Sequence, residues 1–373
     1  MNLELYYATN RNHTGKNRWK PDGYGGDFSG DGHYNLRFGK LTLKTEQAKV
    51  DKYLDQAYKG GRTGNGEGLS GYLAKEMKHA KLAAYKDDTA KKKVEFEANS
   101  STRMFLDVKA KMQNGQNVLI FIHGYNVSWK NAAASALALQ CMLNQKGDKP
   151  TVVILFSWPS DGSMMPFAAY KSDRSDARDS AQAVGRGFLK LRDFLGKLKQ
   201  KPKPGEEHLQ ACNQSINLLC HSMGNYVLQN ALGKLAGYAN GNRMPRIFDN
   251  IFMCAADVDD DILEKGEKMG RLHEISHNIS VYFNKGDLAL SISDTTKGNP
   301  QRLGHTGMAR PQMTHNNIEQ INCSRIVSGM VEHSYFLWST VNADIAQSIN
   351  GVAPEDDSRK RKRIANGREW VME

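Results

Sequence analysis

The sequence predicts an α/β protein built on a doubly wound, mainly parallel sheet. Three observations carry that expectation. The runs NVLIFIHG (117–124), TVVILFSW (151–158), SINLLCHS (215–222), NIFMCAAD (250–257) and NISVYFNKGD (278–287) are short and almost continuously apolar, the pattern of strands buried on both faces. Segments with helical apolar spacing separate them, such as KNAAASALALQCMLNQKG and DSAQAVGRGFLKLRDFLGKL. Polar residues end the strands: His123, Ser157, Ser222, Asp257 and Asp287, with His333 beyond the last strand. In a sheet made by strand–helix alternation those ends share one edge, where chemistry is usually built.

Taken in chain order, LELYYAT (3–9) and LRFGKLTL (36–43) read as strands, and KPDGYGGDFSGDGHYN between them as a Gly-rich loop. Residues 46–100 are Lys-rich with helical stretches such as GYLAKEMKHAKLAAY, and read as an insertion or a partner-facing cover. YKSDRSDARDS carries the charge of an exposed helix start. IEQINCSRI (318–326) reads as the last strand and YFLWSTVNADIAQSI as the last helix. The expected organisation is therefore N-terminal strands joining the sheet (1–44), a helical basic insertion (45–115), the α/β core (116–353) and a basic C-terminal tail (354–373).

The bulk properties set the class. A chain of 373 residues with 39% hydrophobic and 24% charged residues can bury a sizeable core. The start, MNLELYYATNRNHTGKNRW, lacks the basic-then-apolar leader of a secretory signal, and no apolar run reaches spanning length. A cytoplasmic location is expected. The five cysteines (Cys141, Cys212, Cys220, Cys254, Cys323) are scattered without CxxC spacing and read as buried thiols in a reducing compartment. The net charge of +11 and pI near 9.2 favour phosphate, anionic lipid or an acidic partner. Part of that excess sits in Lys91–Lys93 and in SRKRKR near the end, runs that mark solvated surface or a tail, so nucleic-acid binding is not supported beyond the net charge.

Residues 220–224 read CHSMG. A nucleophile elbow is a sharp strand–turn–helix in which a serine takes strained backbone angles, with small residues two positions before and after it. Cys220 stands where glycine is usual, and Gly224 keeps the pattern. The order nucleophile, acid, histidine is supplied by Ser222, Asp287 and His333. Asp257 and Asp259 are alternative acids, or caps of a helix beginning near Asp260. Acyl transfer also needs two amides aimed at the developing oxyanion, and Met223, after the serine, and Tyr125, in HGYN, occupy those positions. His123, His221, Met164, Met165 and Phe167 are candidates to line the substrate pocket; the apolar MMPFAAY also fits packing beneath the N-terminal extension.

YATNR (7–11), FIHGYNVSW, FSWPSDG with Tyr170 and Asp173, LLCHSMGNYVLQNAL, AADVDDD and EHSYF together resemble a bacterial family of α/β hydrolases catalogued as a domain of unknown function. The resemblance covers most of 1–10 and 116–353. It implies an α/β-hydrolase fold and an esterase- or lipase-like serine hydrolase, its triad carried by Ser222, Asp287 and His333. The expected substrate is a small-molecule or lipid acyl compound, with no metal and no organic cofactor. The competing expectation is a catalytically silent hydrolase-like scaffold that binds a protein or anionic partner through 45–100 and the basic tail. HEISH (273–277) matches the HExxH zinc motif, but a strand pattern starts directly after His277, so the second histidine is expected in a helix-to-strand loop. DFSGDG imitates half of a calcium loop, with Phe38 where the closing glutamate belongs.

Overall fold

The computed structural model describes residues 1–59, 64–87, 99–146, 149–160, 166–198, 212–290, 301–327, 332–364 and 367–373. Strands β1 (Asn2–Thr9), β2 (Arg11–Thr14), β3 (Gly23–Phe28) and β4 (Arg37–Lys44) are followed by helices α1 (Gln47–Lys59) and α2 (Glu67–Glu76), β5 (Lys81–Ala84) and α3 (Ser100–Gln113). Then come β6 (Asn117–Ile122), α4 (Trp129–Lys146), β7 (Thr151–Ser157), α5 (Pro166–Leu198), β8 (Ile216–His221), α6 (Gly224–Ala239), β9 (Phe248–Cys254) and β10 (Ser276–Phe283). The chain closes with the short turn α7 (Leu303–Thr306), β11 (Ile318–Asn322), α8 (Ser339–Ile349), β12 (Arg361–Arg363) and β13 (Glu369–Met372). The main sheet has 11 strands in the order β12-β13-β11-β10-β9-β8-β6-β7-β1-β4-β5. From β13 to β1 every pairing is parallel, and antiparallel pairings add β12 at one edge and β4 and then β5 at the other.

The apolar runs become strands because both their faces are covered. Along β7, Val153 and Leu155 join the core layer under α1, α2, α4 and α8, while Val152, Ile154 and Phe156 join the layer under α3, α5 and α6. That is the period-two alternation of a strand with no polar face. Each such side chain contributes about 1.5–3 kcal/mol by leaving water. The doubly wound, mainly parallel sheet expected from the sequence is the fold.

Four local readings are corrected. The Gly-rich stretch contains β3, which pairs with β2 in a separate two-stranded sheet. The Lys-rich region is not only a cover: Val50, Leu54, Ala57, Leu69 and Leu73 are buried in the same core layer as α4, and β5 extends the main sheet. Helix α5 already runs through 170–180, with Asp173 and Ser180 buried, rather than opening there as an exposed charged start. The basic C-terminal segment is not a tail, because β13 pairs with β11 and β12 with β13. Its arginines are drawn in by specific partners: Arg359 binds Asp344, Arg361 meets Glu319, and Arg361 and Arg363 stack on Trp370 at 4.5 and 5.2 Å. Among the described residues, no helix is long and apolar enough to cross a membrane.

Candidate active site

At the centre of the sheet β8 turns sharply into α6, and Ser222 makes the turn at φ 52°. A non-glycine residue in the left-handed region costs on the order of 1–3 kcal/mol and persists only where neighbours over-determine it. Here the Ser222 amide donates to Cys254 O at 2.9 Å, and its carbonyl accepts from the amides of Asn225 (3.0 Å) and Asp257 (3.2 Å). The Asn225 side-chain amide adds donations to Cys220 O (3.0 Å) and Ser222 O (3.1 Å).

The glycines at the elbow answer to close approach. A Cβ on Gly224 would stand 2.6 Å from Ile122 O and 2.7 Å from His123 O, and one on Gly124 would stand 2.8 Å from Ser222 Cβ. The first clash is with backbone that β6 cannot move. Gly224→Ala is therefore expected to destabilise the fold by about 1–3 kcal/mol, the usual cost of overpacking, read as a lower urea midpoint at unchanged slope; an unchanged midpoint would mean the two carbonyls yield. Cys220 is fully buried, and burial pushes its thiol well above the ordinary range, so it packs as a small apolar residue beneath the elbow.

The acid and histidine expected from chain order are brought together. Beyond β10, Asp287 is held in a turn by its amide's bond to Asn284 O (3.1 Å), and it is fully buried. Its Oδ2 accepts from His333 Nδ1 at 2.7 Å and its Oδ1 accepts from the Leu290 amide at 3.3 Å. Beside the elbow, the His333 ring lies 4.9 Å from the ring of His221, and His221 Nε2 lies 3.0 Å from His333 O. Among the described residues, no hydrogen bond joins Ser222 Oγ to His333. Met223 opens α6 in helical geometry, φ −61° and ψ −14°. Tyr125 is half-buried, its ring edge-on to Tyr170 at 5.7 Å, and burial raises its hydroxyl pKa.

The alternative acids are engaged elsewhere. Asp257 Oδ2 accepts from the Tyr170 hydroxyl at 2.8 Å and its Oδ1 faces Arg302 Nε at 3.3 Å, while Asp259 Oδ1 accepts from Arg302 Nη1 at 2.5 Å. The chain after Asp259 forms turns instead of the expected helix. His123 is buried and engaged within the fold. Its ring lies flat on Trp158 at 5.4 Å, Nδ1 donates to Gly124 O (2.9 Å) and Nε2 accepts from the Ser157 hydroxyl (3.1 Å). Burial, with Arg11 nearby, drives its pKa down to about 3, so it is neutral and both nitrogens are used. His221, the last residue of β8, is also buried, with its ring against that of His333. Met164 and Met165 lie outside the described residues, as does the side chain of Phe167.

Residues that entered the sequence reading only as pieces of motifs prove to hold the HGYN loop. Buried Arg11 donates from Nε to Ser157 Oγ (2.8 Å), from Nη1 to Gly25 O (3.0 Å) and from Nη2 to Val127 O (2.7 Å). Asp173 on α5 accepts from the Asn126 amide (3.1 Å) and the Ser160 hydroxyl (2.7 Å), and Ser160 Oγ accepts from the Val127 amide (3.2 Å). Asn126 sits at φ 57°, so these bonds hold a strained loop. YATNR, HGYN and SWPS thus form one polar knot. The available signal was Arg11 placed at the end of a buried strand, where an unpaired charge is not tolerated.

HEISH does not form the helix a zinc site needs. His273 lies in a single 3-10 turn (Leu272–Glu274), and His277 lies inside β10, not in the loop expected for it. Glu274 binds Arg271 at 2.8 Å and accepts from the Met244 amide at 2.7 Å. In DFSGDG, Asp31 pairs with Arg18 at 3.0 Å and with Arg37.

The sequence pattern of a family described as "Alpha/beta hydrolase of unknown function (DUF900)" matches residues 98–348. Among solved structures, lipase B of Aspergillus fumigatus is similar at 11% identity and TM-score 0.36, over 66% of this chain and 55% of the lipase, so the chain spans about half of that protein. A putative cell surface hydrolase from Lactobacillus plantarum WCFS1 is similar at 12% identity and TM-score 0.35, over 66% of this chain and 96% of that one. Esterase B from Lactobacillus rhamnosis is similar at 12% identity and TM-score 0.33, over 63% and 77%. No curated protein matches. With the family pattern spanning most of the chain, from α3 to the end of α8, this protein belongs to the α/β hydrolases of unknown function.

Proposed function

We propose that the protein is a serine hydrolase cleaving a carboxylic ester or related acyl bond of a small-molecule or lipid substrate. The observation that carries this reading is the 2.7 Å bond from His333 Nδ1 to buried Asp287, formed beside an elbow that holds Ser222 at positive φ. With Nδ1–H committed to Asp287, His333 Nε2 has its lone pair available to take the Ser222 proton. Ser222 Oγ attacks the carbonyl, and the Met223 and Tyr125 amides stabilise the oxyanion. His333 returns the proton to the leaving group. Water, deprotonated by the same imidazole, then releases the acid and restores the serine. The scheme requires no cofactor. We assign residues 116–353 as the catalytic unit, with a cytoplasmic location.

The test is covalent. A fluorophosphonate probe is expected to label the wild-type chain on a peptide containing Ser222, and Ser222→Ala is expected to abolish labelling while keeping its melting temperature. Folded wild-type protein that resists the probe would overturn the reading in favour of a silent scaffold binding a protein or anionic partner.

A further inference from the structure

We infer that His221, the residue before the nucleophile, is a positioning residue that ties the main chain of the base to the elbow; this rests on the reading of Ser222 and His333 proposed above. Asp287 fixes only one nitrogen of the His333 ring. The backbone that carries the ring is held separately, by the 3.0 Å contact between His221 Nε2 and His333 O.

A carbonyl oxygen only accepts, so Nε2 of His221 carries the hydrogen. The remaining nitrogen faces the loop on the other side: a Cβ on Gly124 would stand 3.1 Å from His221 Nδ1. One ring thus lies between the segment bearing the base and the loop bearing Tyr125. Phe336 packs on it at 4.8 Å and His333 at 4.9 Å, so its orientation is fixed by packing as well. Full burial, reinforced by the imidazole of His333, keeps the His221 pKa well below its ordinary value. The neutral, Nε2-protonated form is the one that can serve as a single donor to His333 O without placing a second cation against the base.

The geometry separates this role from simple filling of space. A glutamine side chain can place an amide N–H where Nε2 stands, an asparagine amide is too short to reach, and leucine fills the volume without donating. His221→Leu and His221→Asn are expected to lower the maximal fluorophosphonate inactivation rate of Ser222 about 100-fold, the scale set by an ångström-level misplacement of a catalytic group. The half-saturating probe concentration is expected to stay within about threefold, because the donor touches the base and not the ligand. His221→Gln is expected to recover the rate to within about fivefold of wild type. Equal rates in the Gln and Asn variants, whatever the stability of the Leu variant, would overturn the inference. Loss of wild-type labelling itself would remove the serine reading and this inference with it.

Discussion

Asp287→Asn is expected to lower kcat by about 10,000-fold, the scale seen when a triad acid becomes an amide, with little change in KM. The direction follows from the two bonds of the carboxylate. Oδ1 accepts from the Leu290 amide and Oδ2 accepts from His333 Nδ1. An asparagine has one acceptor oxygen, and the Leu290 N–H, a fixed backbone donor in a buried turn, claims it. The amide NH2 then faces His333 Nδ1, which must present its lone pair. The hydrogen moves to Nε2, where the proton of Ser222 has to arrive, and the imidazole becomes the wrong tautomer. Asp257→Asn is the informative partner. Asp257 meets Tyr170 and Arg302, so its replacement is expected to cost far less in kcat. Steady-state kinetics on a p-nitrophenyl ester measure both. A larger kcat loss in the Asp257 variant would transfer the acid's role to Asp257.

The contrast between these aspartates shows what the linear chain contains. Both stand at strand ends between Ser222 and His333, so chain order alone does not separate them. The distinguishing fact is Arg302, a buried cation that stands just before α7 and occupies Asp257 and Asp259. The central strands were legible for a different reason. A parallel strand covered by helices on both faces must be apolar throughout, and such runs have few other uses. The sharp turn at Ser222 was legible from its strand–turn–helix pattern despite Cys220, because the steric requirement there is smallness, not glycine itself.

What escaped was consistently a polar residue whose partner is distant in sequence. Arg11 and Ser157 lie 146 residues apart, and Asn126 and Asp173 lie 47 apart. His123 stands at a strand end, and nothing near it in sequence beyond Gly124 announces that Ser157 and Trp158 engage its second nitrogen and a ring face. The same cause explains the C-terminal segment. RKRKR looks like a solvated tail because charge runs usually are, and nothing in those letters announces Asp344 one helix earlier.

That buried network gives the largest expected effect on stability. Asp344 is fully buried on α8; its Oδ1 accepts from Arg359 Nε at 2.7 Å and its Oδ2 from the Tyr282 hydroxyl at 2.5 Å, with Arg361 Nη1 at 3.6 Å. Arg361 is steadied further by Glu319 at 3.1 Å, whereas Arg359 has no second carboxylate among the ion pairs of the described residues. Asp344→Ala removes the carboxylate that a buried guanidinium and a phenol share, leaving Arg359 only neutral acceptors such as Ser348 Oγ and Val352 O. Breaking a buried pair from one side costs about 3–5 kcal/mol, because the surviving charge stays desolvated, against a total stability of about 5–15 kcal/mol for a typical domain. A urea titration is expected to show that drop in midpoint, and probe labelling of Ser222 is expected to fall with the folded fraction. Pairing Asp344→Leu with Arg359→Met separates the mechanisms. If the penalty comes from an orphaned charge, the double variant recovers part of the loss, since apolar replacement of a whole buried pair is often neutral. If the double variant is as unstable as Asp344→Ala, the ion pair itself, and with it the seam between α8 and the C-terminal strands, supplies the stability.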